Sequence, residues 1–155
     1  MKPKILFILH LPPPIHGAAM MGKYIQESEL VNSSFDCFCI NLATAGSLSD
    51  IGHISLKKLL KYFFLLKHIS HVVREIRPEL VYITPNAGGK AFFKDFIVVQ
   101  MLKSMGCKVI AHYHNKGVSV YQSKWVYNFF YKRFFSNLKV ILLAENLYKD
   151  IAKYV

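Results

Sequence analysis

The sequence predicts an α/β protein built on a Rossmann-like, doubly wound parallel sheet. Short apolar segments, typical of buried strands, alternate five times with longer segments of helical periodicity. Neighbouring parallel strands need a crossover connection that is usually a helix, so strands that alternate with helices favour a parallel sheet. Parallel sheets carry helices on both faces, so an alternating strand–helix pattern indicates this fold class.

The five strands are expected at 4–10, 35–40, 79–83, 107–113 and 138–143. The helices are expected at 18–31, 55–76, 90–105, 122–135 and 145–153. Gly106 and Asn137 stand where the third and fourth helices should end, since both residue types tolerate the backbone conformation found there.

The helix at 55–76 has the clearest pattern. Ser55 is the expected N-cap, and Pro78 prevents continuation into the next strand. Apolar residues recur at helical spacing and are expected to face the core: Leu56, Leu59, Leu60, Phe63, Leu66, Ile69, Val73 and Ile76. Phe64 and Leu65 lie off this row.

Length and composition limit the classes of protein to which this chain can belong. A chain of 155 residues suits one domain spanning 1–155, and an apolar content of 53% with 19% charged residues excludes a disordered chain. The net charge of +11 implies an anionic partner: nucleic acid, an acidic membrane surface or a phosphorylated ligand. No signal peptide and no membrane-spanning stretch is recognisable, so Cys37, Cys39 and Cys107 are expected to be reduced thiols of a cytoplasmic protein.

The first strand leads into a loop that has the features of an anion site. Three prolines follow Leu11, and then His16 and Gly17 precede a helical segment. A strand–loop–helix junction presents free backbone N–H groups and the positive end of a helix. The His16-Gly17 pair could form a phosphate-facing turn, or Gly17 could be an ordinary turn residue. The pattern is neither a P-loop nor a dinucleotide fingerprint.

Three further loops follow strands, at 41–54, 84–90 and 112–117. The carboxyl ends of parallel strands share one edge of the sheet, where α/β proteins bind ligands. In the loop at 84–90, backbone amides and Lys90 could hold an anion, or the segment could be a plain connection.

His112 and His114 are two residues apart at the end of the fourth strand, so they could face the same side. One of them could hydrogen-bond a ligand or transfer a proton, or both could be satisfied within the protein. No metal site is expected, because no nearby carboxylate or cysteine completes a ligand set.

Two helical segments, 57–68 and 124–135, are both basic and very apolar. In the segment 124–135, we do not expect Tyr127, Phe130 and Tyr131 all to face inward. Basic aromatic surfaces suit an anionic membrane interface, but a wide buried face or burial against another domain would give the same pattern. Nucleic acid is not an expected partner, because the aromatic residues lie on helices instead of a sheet face.

Four segments, in order, resemble the N-terminal half of bacterial family-4 glycosyltransferases of the GT-B fold. They are Lys4–Gly17, Tyr82–Pro85, Tyr113–Gly117 and Val140–Leu143. The resemblance implies a retaining transferase that takes a nucleotide sugar as donor substrate and needs no cofactor and no metal. It also implies that this half receives the acceptor, a saccharide or lipid-linked molecule, while a C-terminal domain holds most of the nucleotide.

The resemblance implies roles for individual residues. Gly17 matches a glycine whose backbone approaches the donor diphosphate, with His16 beside it where many relatives have a second glycine. His114 matches the histidine that contacts the donor sugar and is the implied catalytic residue. The acceptor-side candidates are Thr84, Asn86, Lys90, His112, Asn115 and Lys116; many relatives have an aspartate at the position of Asn115.

The family's paired glutamates, seven residues apart in the C-terminal domain, are absent from this sequence. We therefore expect the acceptor-side half of a transferase for cell-surface polysaccharide or lipid-linked glycan synthesis, peripheral to the inner face of the plasma membrane and inactive by itself. The alternatives are a non-enzymatic module that docks a membrane or partner and, with less support, a nucleic-acid-binding domain.

Overall fold

The computed structural model describes residues 2–13, 15–42 and 56–155. It confirms the α/β class, because five strands form one all-parallel sheet in the order β2-β1-β3-β4-β5, consistent with a Rossmann-like doubly wound fold. The strands are β1 (Lys4–Leu9), β2 (Asp36–Asn41), β3 (Leu80–Ile83), β4 (Val109–Tyr113) and β5 (Lys139–Leu142). Each overlaps a predicted strand.

The helices also follow the predicted order. They are α1 (Gly17–Glu27), α2 (Glu29–Ser34), α3 (Leu56–Ile76), α4 (Gly89–Ser104), α5 (Val118–Tyr121), α6 (Trp125–Phe135), a 3₁₀ turn (Glu145–Leu147) and α7 (Tyr148–Ile151). The short α5 was not predicted, and the single helix expected at 145–153 is a 3₁₀ turn followed by α7. In the described ranges, no helix combines the length and apolar character needed to cross a membrane.

The chain divides into two compact units, Met1–Tyr82 and Ile83–Val155. In the first unit β1 is buried on both faces: Leu6 and Ile8 are fully buried, and Ile5, Phe7 and Leu9 form a core cluster. The Phe7 ring lies 5.4 Å from the Tyr82 ring, and burial raises the pKa of Tyr82 to about 12. A strand covered on both sides explains why its sequence is a continuous apolar run instead of an alternating one.

The helix predicted at 18–31 is interrupted at Ser28, and this expectation was wrong. Ser28 has extended backbone angles, and its hydroxyl accepts a hydrogen bond from the Val31 amide at 3.4 Å. It therefore caps a new helix, α2, at the point where α1 ends.

The inward face of α3 also differs from the prediction. Ile69 and Val73 are buried as expected, and Leu65 is half-buried although it was placed off the core row. Four apolar residues of the first turns are more than half exposed, namely Leu56, Leu59, Leu60 and Phe63, as is the off-row Phe64. Ser55, the predicted N-cap, lies outside the described residues.

In the second unit the core is aromatic. The Phe92 ring on α4 lies 4.6 Å from Tyr131 and 5.6 Å from Phe134 on α6. Tyr127 and Phe130 are half-buried against Phe93, at 5.0 and 5.3 Å. The expectation that Tyr127, Phe130 and Tyr131 could not all face inward was therefore wrong: α4 offers a wide aromatic surface that contacts all three.

The helix ends predicted at Gly106 and Asn137 are confirmed. Gly106 follows α4 with φ +77°, and Asn137 follows α6 with φ 52°. Both adopt the left-handed conformation that stops a helix.

Candidate functional site

The first candidate site is the start of α1, directly after the loop that leaves β1. His16 is the N-cap residue, and its Nδ1 atom accepts a hydrogen bond from the Ala19 amide at 3.3 Å. Since Nδ1 is the acceptor, the neutral ring carries its proton on Nε2. The other amides of the first helical turn have no partner within the helix itself, so they can bind an anion.

Two glycines of α1 behave differently. A Cβ atom at Gly17 would meet nothing within 4 Å, so this glycine is not required by packing. A Cβ atom at Gly22 would clash with the carbonyl oxygen of His10. Gly22 is therefore what allows α1 to pack directly against the chain leaving β1, a role that the sequence pattern did not reveal.

The chain leaving β1 is held at its other side by the end of β2. Asn41 Oδ1 accepts a hydrogen bond from the Leu11 amide at 3.2 Å, and the Leu42 amide donates to the Leu9 carbonyl at 2.7 Å. These contacts fix the entry to the loop that carries His16. The rest of the loop predicted at 41–54, and Pro14, lie outside the described residues.

The second candidate site, in the second unit, is the histidine pair at the end of β4. The rings of His112 and His114 lie 4.2 Å apart, so the two residues face the same side as their spacing predicts. Burial lowers the pKa of His112 to about 4, with a further contribution from His114, and burial also lowers the pKa of His114. Both rings are therefore neutral at pH 7.

His114 is unusual in its hydrogen bonding. Both of its ring nitrogens are buried, and within the described residues neither has a hydrogen-bond partner. A neutral imidazole has one donor and one acceptor to satisfy. Most buried polar groups are satisfied by the protein or by water, so an unpartnered one calls for an explanation such as a ligand.

The loop after β3 lies in the same unit and is fixed by side chains. Asp95 Oδ2 accepts hydrogen bonds from the backbone amide of Asn86 at 2.8 Å and from its Nδ2 at 2.7 Å. Asp95 is fully buried on α4, and Lys94 Nζ lies 3.4 Å from its other oxygen. Asp95 therefore holds this loop in place through its two hydrogen bonds with Asn86.

Ala87, at the centre of this loop, is held through both its backbone amide and its backbone carbonyl. Its amide donates to Asn115 Oδ1 at 3.3 Å, and its carbonyl accepts from the Tyr131 hydroxyl at 2.5 Å. The next residue, Gly88, has no room for a Cβ atom because the Tyr121 ring lies against it. The loops after β3 and β4 therefore form one connected structure through Asn115.

Asp150 fixes the loop that follows His114. Its carboxylate accepts hydrogen bonds from the amides of Gly117, Val118 and Ser119 at 2.8 to 3.0 Å and from the Ser119 hydroxyl at 2.5 Å. Burial alone would raise the pKa of Asp150, but these four hydrogen bonds together hold it below its usual value. Gly117 has φ +153°, so a side chain there would be strained.

Most of the predicted site residues lie in the second unit. His112 and His114 are in ring contact, and Asn86 and Asn115 hold the loop at Ala87. Thr84 is buried, whereas Lys90 and Lys116 are exposed. His16 and Gly17 lie in the first unit.

Sequence reasoning missed Asp95 and Asp150. The one available signal for Asp95 was a single carboxylate inside a strongly apolar helical stretch, Phe92 to Val98. A buried acid needs partners, which marks it as structural or functional. No comparable signal singles out Asp150.

Among the described residues no group of three or more His, Cys, Asp or Glu side chains is placed to hold a metal ion. Comparisons with protein-family models, with curated proteins and with solved structures found no match to this chain.

Both basic aromatic helices expose part of their apolar surface. On α3 the exposed residues are Leu56, Leu59, Leu60, Phe63 and Phe64, with exposed fractions between 52% and 74%. On α6, Trp125 is 80% exposed and Phe129 53% exposed, on the face that also carries exposed Lys132 and Arg133.

Proposed function

We propose that the chain is the acceptor-side half of a retaining glycosyltransferase that uses a nucleotide sugar to build a cell-surface polysaccharide or lipid-linked glycan. The observation that carries the proposal is His114, whose buried ring nitrogens have no partner within the described residues. A C-terminal domain would hold most of the nucleotide, and the enzyme would work in the cytoplasm without a cofactor or catalytic metal.

A sugar hydroxyl suits the neutral His114 ring, because a hydroxyl both donates and accepts hydrogen bonds. The lowered pKa of His114 keeps the ring in this neutral form at physiological pH. The neighbouring His112 is neutral for the same reason, so the pair does not present a positive charge to the ligand.

The start of α1 is a suitable binding site for the donor diphosphate. The amides of Gly17 and Ala18 belong to the first helical turn, where an anion is favoured by the helix dipole. The open space at Gly17 permits close approach of a phosphate oxygen to the backbone.

In the proposed reaction, the bond between the anomeric carbon and the diphosphate oxygen breaks, and the acceptor oxygen bonds to that carbon from the same face. The acceptor proton passes to the departing phosphate oxygen. The resemblance assigns stabilisation of the developing charge on that phosphate to the Gly17 amide of the first unit. It separately assigns the contact with the donor sugar to His114 of the second unit. Lys90 and Lys116, both exposed, would attract an acceptor that carries phosphate. Thr84, Asn86, His112 and Asn115 lie at the ends of β3 and β4 or in the loops that follow them, on the side proposed to receive the acceptor.

The test is NMR titration of the 155-residue chain with uridine diphosphate and with uridine diphosphate glucose. We expect both probes at millimolar concentration to shift the Gly17 and Ala18 amides, and only the sugar nucleotide to shift the His114 ring. His114→Ala should abolish the sugar-specific shifts and keep the diphosphate shifts. Absence of shifts at all three residues with guanosine- and uridine-linked donors alike would refute the proposal.

A non-enzymatic docking module is the second candidate, and the exposed apolar residues of α3 and α6 favour it. This second candidate would be supported if no nucleotide shifts the NMR signals of Gly17 and His114 while the chain still binds a membrane. Steeply salt-dependent binding of oligonucleotides would instead support a nucleic-acid-binding domain.

A further inference from the structure

We propose that the first three turns of α3 form a docking surface for the anionic face of a lipid bilayer. The surface, named here the α3 patch, consists of Leu56, Leu59, Leu60, Phe63 and Phe64. All five side chains are more than half exposed. The inference does not depend on the proposed transferase activity, since none of these residues belongs to either candidate site.

The α3 patch forms one side of the helix. Leu56, Leu60, Phe63, Phe64 and Lys67 follow the spacing i, i+4, i+7, i+8, i+11, which places them along one face. The half-buried and buried residues Tyr62, Leu65, Leu66, Ile69 and Val73 occupy the other side. The helix therefore has two apolar faces, and only one of them is used by the fold.

The charges around the α3 patch all have the same sign. From 56 to 74 the helix carries Lys57, Lys58, Lys61, Lys67 and Arg74, and its first acidic residue is Glu75. Lys67 Nζ lies 4.8 Å above the centre of the Phe63 ring, so a positive charge borders the apolar surface directly. Lysines beside an apolar face are what an anionic bilayer attracts.

Other occupants fit this composition less well. Lysine is depleted at protein–protein interfaces relative to the rest of the surface. Nucleic acid bases stack on aromatic rings, but three of the five residues in the α3 patch are leucine. A helix that lies in the membrane interface uses leucine, phenylalanine and lysine together, since the apolar side chains enter the acyl boundary and the ammonium groups reach the phosphates.

The test is co-sedimentation of the 155-residue chain with vesicles of equal parts phosphatidylglycerol and phosphatidylcholine, compared with phosphatidylcholine alone. We expect binding to the anionic vesicles that weakens as salt is added. Phe63→Ser/Phe64→Ser should weaken this binding about tenfold or more for each phenyl ring that can no longer be buried. Lys57→Gln/Lys61→Gln should weaken it roughly 25-fold at low salt.

Two variants serve as matched controls. Leu30→Ser removes an equally exposed leucine, 76% exposed, from α2. Lys4→Gln/Lys108→Gln removes the same net charge from exposed positions outside α3. Both should bind anionic vesicles within about threefold of the parent chain, because neither touches the α3 patch. Circular dichroism and urea midpoints verify folding, and the single change Phe64→Ser replaces the double variant if that variant unfolds.

The proposal is overturned if the parent chain does not bind anionic vesicles, or if the α3 variants bind them as tightly as the parent chain does. It is equally overturned if the Lys4/Lys108 control loses as much binding as the Lys57/Lys61 variant, because the attraction would then come from net charge alone. Self-association abolished by Phe63→Ser/Phe64→Ser, without vesicle binding, would assign the surface to a second copy. The vesicles contain no nucleotide and the NMR test contains no lipid, so each proposal can fail without the other.

Discussion

At the scale of single residues, the histidine pair shows what sequence can and cannot predict. The two-residue spacing of His112 and His114 was enough to predict that their side chains face the same way. Their burial, which keeps both rings neutral, depends on what packs around the end of β4 and is not encoded in the local pattern. The unpartnered nitrogens of His114 are likewise a property of the folded chain.

The pH dependence of stability should reveal these histidines. The pKa of His112 is about 4 in the folded chain, against an ordinary value of 6.5, so between these values the unfolded chain binds more protons. The contribution of His112 to the free energy of unfolding should therefore fall as the pH drops from 6.5 to about 4 and should level off below that range. After discounting for partial solvent exposure, we expect His112 to account for roughly 1–2 kcal/mol.

Urea denaturation across this pH range measures the effect. His112→Gln should make the profile less steep between these two pH values. Identical profiles for His112→Gln and the parent chain would contradict the assignment of a low pKa to this ring.

The two glycines of α1 should respond in opposite ways to alanine. Gly17→Ala meets no atom within 4 Å, so the urea midpoint should stay the same or rise slightly while the diphosphate-induced amide shifts are reduced. Gly22→Ala places a methyl group against the His10 carbonyl and should destabilise the chain by about 1–3 kcal/mol. A Gly17→Ala chain that binds uridine diphosphate normally would show that this glycine is only a turn residue.

At the scale of elements, the order of strands and helices was predictable because apolar periodicity and chain breakers are local signals. The interruption at Ser28 was missed because a serine can also lie within a helix, and only its backbone angles make it a cap. The inward face of α3 was mistaken because the helix is apolar on two sides. Periodicity identifies an apolar face but does not say which face the sheet covers.

Asp150 should be the main anchor of the loop between β4 and α6. Asp150→Ala leaves three backbone amides without their carboxylate partner, and we expect it to lower the free energy of unfolding by about 2 kcal/mol. Chemical denaturation measures this loss, with the exposed Glu145→Ala on the neighbouring 3₁₀ turn as the control. The two variants would show equal stability if the carboxylate contributes nothing to the loop.

At the scale of the whole molecule, composition predicted an anionic partner but not where it binds. The net charge of +11 is spread over the sequence, and the structure adds that apolar side chains are exposed next to lysines on α3. The segments that resemble a glycosyltransferase are short, so they support a proposal for the function but do not supply the geometry of a site. That geometry rests on buried groups such as Asp95 and His114, whose partners or lack of them appear only after folding.

The last prediction concerns activity of the 155-residue chain by itself. The proposed function assigns the donor contacts to a helix start and a histidine of this chain, whereas its five glutamates, at positions 27, 29, 75, 79 and 145, include no pair seven residues apart. The proposed function assigns most of the nucleotide to another domain. Residues 1–155 assayed alone should therefore bind the donor weakly and should not fix its sugar relative to an acceptor, so they lack the entropic advantage of a closed site. We therefore expect no release of nucleoside diphosphate above the uncatalysed rate in a coupled assay with nucleotide sugars and lipid-diphosphate acceptors. Turnover by the purified chain that disappears in His114→Ala would contradict this expectation, whereas turnover that persists in that variant would identify a contaminating enzyme.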